Sequence, residues 1–377
     1  MLTSSSKAPS PTPQMARLAI LADYREENWP SMDLVAEMLA RHAGRMPGIE
    51  ATVCRPEFRH LAGPIMGRRG FNTDRLINRM WRYPRFAGKL RGKFEFFHAA
   101  DHSYSQCLLP LTAERTGVFC HDLDTFRCLV DPQRDPRPKW FRQMARRILR
   151  GFQSSRIVFY ATDVVRAEIE RFAVADPAKL VHAPFGFAEE FSPEAPQLES
   201  FGSLPERFIL NVGSCVPRKR TDLLLRGFTA IAAEVPHIRL VQVGGEWSET
   251  DLKLLAAIPS GRVVQLRGLT RQQLAELYRR AELVVQPSEA EGFGLPVLEA
   301  LACGTAVVAS DIPVFREVAG ESIDYFAAGD FEKMAQVILE ILQRRRASPS
   351  KQDRLARAAR FSWEAHAAAI VRAYQAL

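Results

Sequence analysis

No two cysteines of this 377-residue chain form a pair in sequence. Cys54, Cys107, Cys120, Cys128, Cys215 and Cys303 are scattered without a CxxC. Such a distribution suits neither a zinc site nor a secreted disulfide framework, and it points to a reducing cytosol. No apolar run approaches the roughly 20 residues that a spanning helix needs, so the chain is not expected to cross a membrane. The opening MLTSSSKAPSPTPQ has one lysine and no apolar core. It does not read as a signal peptide but as a disordered tail over residues 1–14. A GxGxxG after an early strand is missing as well, which disfavours a dinucleotide-dependent oxidoreductase.

What remains is the composition of a globular enzyme, 47% apolar and 25% charged, in a chain long enough for two domains. Charge is unevenly spread. Residues 51–150 hold 20 basic and 9 acidic side chains, while the rest of the chain is slightly acidic. Two stretches there, RRGFNTDRLINRMWRYPRFAGKLRGK (68–93) and RPKWFRQMARRILRGF (137–152), mix Arg and Lys with large apolar residues. That mixture suits an anionic bilayer surface or a phosphorylated acceptor. A solvated helix face with snorkelling arginines is the competing reading. Nucleic acid is not expected as a partner, because no nucleic-acid motif accompanies the charge.

Short apolar runs alternate with helical patterns along both halves. Strands are expected at 17–23, 94–100, 116–122, 155–162 and 179–186, and again at 207–213, 238–245, 262–268, 282–288 and 305–310. Helices are expected at 30–44, 221–234, 271–280, 296–303 and 330–345. Apolar strands without polar alternation imply parallel sheets covered on both faces. The turn-rich AEEFSPEAPQLESFGSLPER (188–207) reads as a linker. The expected organisation is α/β, with two Rossmann-like doubly wound domains facing a central cleft: an acceptor-side domain at 15–190, a linker at 191–206 and a nucleotide-binding domain at 207–350. Ligands in such sheets bind at the carboxyl ends of strands.

At one such end lies EAEGFGLPVLEALACG (289–304). Pro296 suits a first helical turn and Gly304 a helix end. Gly292 and Gly294 let backbone amides approach a ligand, and exposed amides at a helix N-terminus favour a phosphate. Glu291 and Glu299 would accept hydrogen bonds from hydroxyls. Phosphates flanked by hydroxyl-rich sugars, as in a nucleotide sugar, satisfy all of these groups; a tight turn with solvated acids is the plainer alternative.

EGFGLPVLE (291–299) resembles the E-x7-E signature of retaining glycosyltransferases of family four, also called group one, which have the GT-B fold. ALACGTAVVASDIPVFREVAG (300–320) looks like its usual continuation, and the resemblance extends through most of the second half and more weakly into the first. It implies that Glu299 holds the ribose hydroxyls of the donor. Glu291 matches the glutamate near the transferred sugar, whose hydroxyls also meet the amides of Gly292, Phe293 and Gly294. NVGSCVPRKRTDLLL (211–225) is similar to the family's strand, loop and helix that bind the donor diphosphate, with Gly213 in the loop and Lys219 at the family's lysine. Ser214 follows Gly213 where the family commonly has arginine, so Arg218 is the candidate for the second charge. Chemistry favours the same pair independently: a departing nucleoside diphosphate builds negative charge, which fixed cations and aligned amides stabilise without a metal. A solvated basic loop is the bland alternative.

The same resemblance assigns LRGLTRQQLAELY (266–278) to the base pocket and FCHDLDTFR (119–127) to the strand ending in a histidine near the donor sugar, which makes His121 a candidate beside a purely structural role. DHSYSQ (101–106) follows another strand, with Asp101 and His102 as acceptor-side candidates. Asp122 and Asp124 form a D-x-D, discounted as a metal site in this setting. DYREENWPSMD (23–33) lacks the glycines usual in the family's first loop, and residues 351–377 resemble the segment that packs back on the first domain. The expected activity is transfer of a sugar, with retention and without metal or other cofactor, from a nucleotide-sugar donor to a hydroxyl acceptor. The expected location is cytoplasmic, with a peripheral association at the inner face of a membrane through 68–152. A sugar-nucleotide epimerase and a non-catalytic nucleotide-sugar-binding protein are the rivals.

Overall fold

The computed structural model describes residues 15–61, 63–194 and 204–377. The tail expected at 1–14 and most of the linker expected at 191–206 lie outside the described residues. The chain divides into two units. One runs to Tyr160 and adds Glu168–Ala183 and His366–Leu377; the other comprises Ala161–Ala167 and Pro184–Ala365.

Each unit is built on a six-stranded parallel sheet. In the first, β1 (Ala16–Leu21), β2 (Ile49–Cys54), β3 (Phe96–Ala99), β4 (Thr116–Cys120), β5 (Ile157–Tyr160) and β6 (Leu180–His182) stand in the order β2-β1-β3-β4-β5-β6. In the second, β7 (Phe208–Val212), β8 (Arg239–Val243), β9 (Val263–Leu266), β10 (Leu283–Gln286), β11 (Val307–Ser310) and β12 (Asp324–Phe326) stand in the order β12-β11-β10-β7-β8-β9. Central strands such as β4, β5, β7 and β10 are buried at every position. Their sequences TGVFC, IVFY, FILNV and LVVQ are therefore nearly continuous apolar runs, as strands covered on both faces must be.

The strands are shorter than the apolar runs that announced them, because those runs continue into the loops at the carboxyl edge. Two edge strands gave no clear signal. β2 alternates, as IEATVC, and β12 has three residues; an edge strand covered on fewer sides does not require an apolar run.

Sequence also sets the helix bounds. Pro30 opens the helix Pro30–Ala43 from its first turn. Thr270 and Gln273 form a capping box at the start of Arg271–Arg280, each side chain satisfying the other's backbone amide. In the second unit the helix Thr221–Glu234 lays Leu224, Leu225, Phe228 and Ile231 against Met334, Val337 and Ile338 of the helix Phe331–Leu342, over β7, β8, β10 and β11. Each such side chain contributes roughly 1.5–3 kcal/mol by burial.

Residues 351–377 form two helices. Lys351–Ala358 stays in the second unit, where Arg354 Nε donates to Gly304 O at 2.9 Å and Arg357 Nε to Val318 O at 2.8 Å. The end of the helix Trp363–Gln375 belongs to the first unit, where the Tyr374 hydroxyl lies 3.1 Å from His98 Nδ1 and donates to Phe97 O at 3.1 Å. Burial drives the His98 pKa down to about 3, so that ring is a neutral core element. Among the described residues no helix is long and apolar enough to cross a membrane.

Candidate functional site

In the second sheet the strand order reverses between β7 and β10, and the crevice outside such a switch point is where open α/β sheets bind ligands. The two strands pair over only Leu283↔Ile209 and Val284↔Leu210. Beyond those positions side-chain amides take over. Asn211 Nδ2 donates to Val285 O at 2.8 Å and Gln286 Nε2 to Val212 O at 2.9 Å. These links hold the diverging strand ends at a fixed separation, each leading into one loop of the site.

The loop after β7 turns through Pro217–Lys219 and is stitched to the loop after β10. Glu289 N donates to Arg218 O at 2.9 Å, Arg218 Nη1 donates to Ala290 O at 3.2 Å, and Arg220 pairs with Glu289 and Asp222. Together they bring Lys219 and Glu291 into contact: Lys219 Nζ donates to Glu291 Oε1 at 2.5 Å, and Ser288 Oγ donates to the same oxygen at 2.7 Å. Arg218 Nη1 lies 3.6 Å from Glu291 Oε2. Gly213 lies under the Lys219 stem, where an added Cβ would sit 3.9 Å from Cδ. Two cations, 15% and 36% exposed, thus converge on one carboxylate that is 7% exposed.

Gly294 is the N-cap of the helix Leu295–Ala302, at φ 92°, and a Cβ there would stand 2.8 Å from the Phe315 ring. Only glycine fits both constraints. Phe293 is a core residue, its ring 5.2 Å from that of Phe185 and 5.7 Å from that of Phe361. What it can offer a ligand is its backbone. Gly292 is anchored through its carbonyl by Thr162 Oγ1 at 3.0 Å.

Glu299 is set apart from the Lys219 cluster. Its side chain is buried, and Oε2 accepts from the Tyr278 hydroxyl at 2.9 Å. Burial pushes its pKa up to about 8, against the opposing hydrogen bond from Tyr278. Tyr278, on the helix that Thr270 caps, was not singled out from sequence, although it closes the stretch read as lining the base pocket. Ser288 and Thr162 carried no sequence signal beyond being hydroxyls.

The first unit gathers the remaining candidates at the carboxyl edge of β3 and β4. Asp101 caps the 3-10 helix His102–Leu108, accepting from Ser103 N at 2.7 Å and Ser103 Oγ at 2.6 Å. His102 Nδ1 lies 3.3 Å from Asp101 Oδ1, and its Nε2 lies 3.6 Å from Asp122 Oδ1. His121 Nε2 meets Ala100 O at 2.7 Å, and burial, helped by His102 and opposed by Asp101, holds that imidazole below its ordinary pKa. The D-x-D pair is engaged in a local turn: Asp124 N donates to Asp122 Oδ1 at 3.0 Å, and Asp124 pairs with Arg127 at 3.3 Å. Asp23, Glu27 and Arg79 join this edge unpredicted. Asp23 and Glu27 stand within the segment that drew notice only for its missing glycines.

Comparison with known proteins points the same way. Residues 198–361 match the family described as glycosyl transferases group 1. The chain is 27% identical over 305 residues to the O-antigen chain mannosyltransferase B of Escherichia coli, covering 78% of this chain and 77% of that one. It is 32% identical over 231 residues to the D-inositol 3-phosphate glycosyltransferase of Segniliparus rotundus, covering 57% of this chain and 51% of that one. Against serotype-specific mannosyltransferases of Escherichia coli it spans about a third of the relative's length. Anabaena HepE, solved with UDP and glucose, superposes with a TM-score of 0.71 at 15% identity, over 97% of this chain and all of the other. The fold is that of the GT-B proteins, with two Rossmann-type units.

Proposed function

We propose that this chain, whose residues 198–361 match the group 1 glycosyltransferases, moves a sugar, with retention and without a metal, from a nucleotide donor to a hydroxyl acceptor. The observation that carries the reading is the convergence of Lys219 and Arg218 on Glu291 at the switch point of the second sheet. Without ligand, the carboxylate neutralises the two cations. With donor bound, the diphosphate takes the cations, and Glu291 is released toward the sugar.

Each group then has a task. Lys219 and Arg218 stabilise the charge that grows on the leaving diphosphate, together with the amides of Gly292, Phe293 and Gly294. Glu291 positions the donor sugar and supports an oxocarbenium-like transition state. Glu299 accepts hydrogen bonds from the ribose hydroxyls, with Tyr278 fixing its rotamer. The departing phosphate oxygen takes the proton of the acceptor hydroxyl, which attacks from the same face of the sugar. Relatives and a structure of the same fold are named for glycosyl transfer or for UDP and glucose, which supports a nucleotide-sugar donor.

We propose further that the acceptor is presented at an anionic membrane surface. The helix Lys139–Ser154 leaves Trp140 62% exposed, with Arg146 and Arg150 exposed on the following turns. A helix that exposes both an indole and guanidinium groups suits the headgroup boundary.

Thermal stabilisation by a panel of nucleotide sugars and nucleoside diphosphates tests the donor reading. A selective shift lost in Glu299→Ala supports it; no shift with any member of the panel removes it. Product analysis with donor alone separates transfer from epimerisation.

A further inference from the structure

Two buried glutamines hold the end of β7 from either side. Gln242 on β8 is 0% exposed and Gln286 on β10 is 2% exposed, and the strand order places β7 between these two strands. Gln286 Nε2 donates to Val212 O at 2.9 Å, and Gln242 Nε2 donates to Gly213 O at 2.8 Å. Successive carbonyls are thus held by side chains from opposite flanks, while Gly213 N donates to Val243 O at 2.9 Å. Strands covered on both faces favour apolar residues, and a buried amide is tolerated there only where its hydrogen bonds are made.

Chemistry sets the direction of the Gln242 bond. A carbonyl only accepts, so the amide nitrogen faces Gly213 and the amide oxygen faces away. There Gln265 Nε2, on the edge strand β9, donates to Gln242 Oε1 at 3.2 Å, and Arg267 Nη2 donates to Gln265 Oε1 at 3.0 Å. A guanidinium only donates. The chain Arg267, Gln265, Gln242, Gly213 therefore runs one way, from a donor-only group to an acceptor-only group. The loop after β8 also lies directly against the loop after β7: a Cβ on Gly245 would stand 2.5 Å from Cys215 N.

These contacts fix the floor under Lys219. Gly213 lies beneath the lysine stem, whose Nζ reaches Glu291 Oε1 at 2.5 Å. A cation that stabilises growing charge gains most when its position is fixed in advance, because no reorganisation is then needed as the charge appears. We infer that Gln242 and Gln286 are positioning residues for diphosphate recognition: they hold Gly213 so that the Lys219 ammonium is correctly placed, and Gln265 and Arg267 orient Gln242 from the sheet edge. The glutamines act through Lys219 and not on the ligand itself. The inference rests on the glycosyl-transfer reading.

Calorimetry on the full chain, with UDP, GDP and ADP as probes, tests it. Gln242→Met and Gln286→Met keep the side-chain length and remove the donor. Each should bind the diphosphate that the wild type binds about fivefold more weakly, the loss expected for one hydrogen bond. Placed on top of Lys219→Ala, each should cost less than about twofold more, because the effect passes through the ammonium that is already gone. Gln265→Met, at a half-buried position, should show the same coupling at smaller amplitude, which keeps the test decisive if the buried variants do not fold. Ile338→Val, a core change in the same unit, should lower the urea midpoint and leave diphosphate affinity unchanged. Undiminished affinity in the glutamine variants, losses that add to that of Lys219→Ala, or an equal loss in Ile338→Val would each overturn the positioning role. Failure of the wild type to bind any of the probes would overturn the glycosyl-transfer reading, and the inference with it.

Discussion

Tyr278 donates its phenolic hydroxyl to Glu299 Oε2 at 2.9 Å inside a buried pocket, and that pocket pushes the carboxyl up to about pH 8. The ligand-free protein therefore holds Glu299 largely protonated at neutral pH, while ribose hydroxyls are best accepted by the carboxylate. Nucleoside diphosphate affinity should fall about tenfold for each pH unit below 8 and level off above it. Calorimetry at neutral pH in buffers of different ionisation enthalpy should register roughly one proton released. Glu299→Gln, which retains only the ligand's own titration, supplies the baseline. Tyr278→Phe should move the break to higher pH. An affinity that is flat across this range in the wild type would contradict the role given to Glu299.

The same group sets a stability trend. Its folded pKa of about 8 lies above the unfolded value of 4.5, so its contribution is fully present below pH 4.5 and is lost as pH rises toward 8. Glu299→Gln should gain stability relative to the wild type between pH 6 and pH 8.5, read from urea midpoints at about these two values. A constant difference between the two proteins would mean that Glu299 ionises normally.

In the proposed mechanism Lys219 holds the donor diphosphate and binds it more strongly as charge develops, so Lys219→Ala should lower kcat by roughly 10²-fold or more and also raise donor KM. Ser288→Ala removes one of the hydrogen bonds to Glu291 and leaves the cations in place. It should cost about tenfold or less. Steady-state kinetics on the two variants checks the order, and the reverse order would place the critical contact on Ser288.

Gly186 stands where an added Cβ would lie 2.2 Å from Trp363 N and 2.4 Å from Ser362 C, both backbone atoms that cannot step aside. Gly186→Ala should destabilise by about 3 kcal/mol or more. Gly88→Ala meets only Pro110, at an ordinary 3.6 Å, and should be neutral or slightly stabilising. Chemical denaturation of the pair separates steric exclusion from a general intolerance of alanine.

For the membrane reading, anionic vesicles should pellet the protein at low salt and release it when ionic strength rises from about 0.1 M to about 0.5 M. Arg146→Glu with Arg150→Glu should weaken binding several-fold, and Trp140→Ala should do so without altering the salt dependence. Equal pelleting with neutral vesicles would leave the basic helix without that role.

The sequence by itself determined the two parallel sheets, because strands covered on both faces must be apolar throughout, and runs such as FILNV and LVVQ state that without ambiguity. It also exposed Gly294, Pro296 and the two glutamates, because backbone constraints and fixed spacing are local properties of the chain. Tertiary structure alone decided which side chains meet. Arg218 and Lys219 reach Glu291 because β7 and β10 are neighbours across a reversal in strand order, a relation spanning some 72 positions that no local pattern encodes. Glu299 acquires its raised pKa only when folding removes water from around it, against the opposing hydrogen bond from Tyr278. Charge in a protein is a property of surroundings, and the surroundings exist only once the chain has folded.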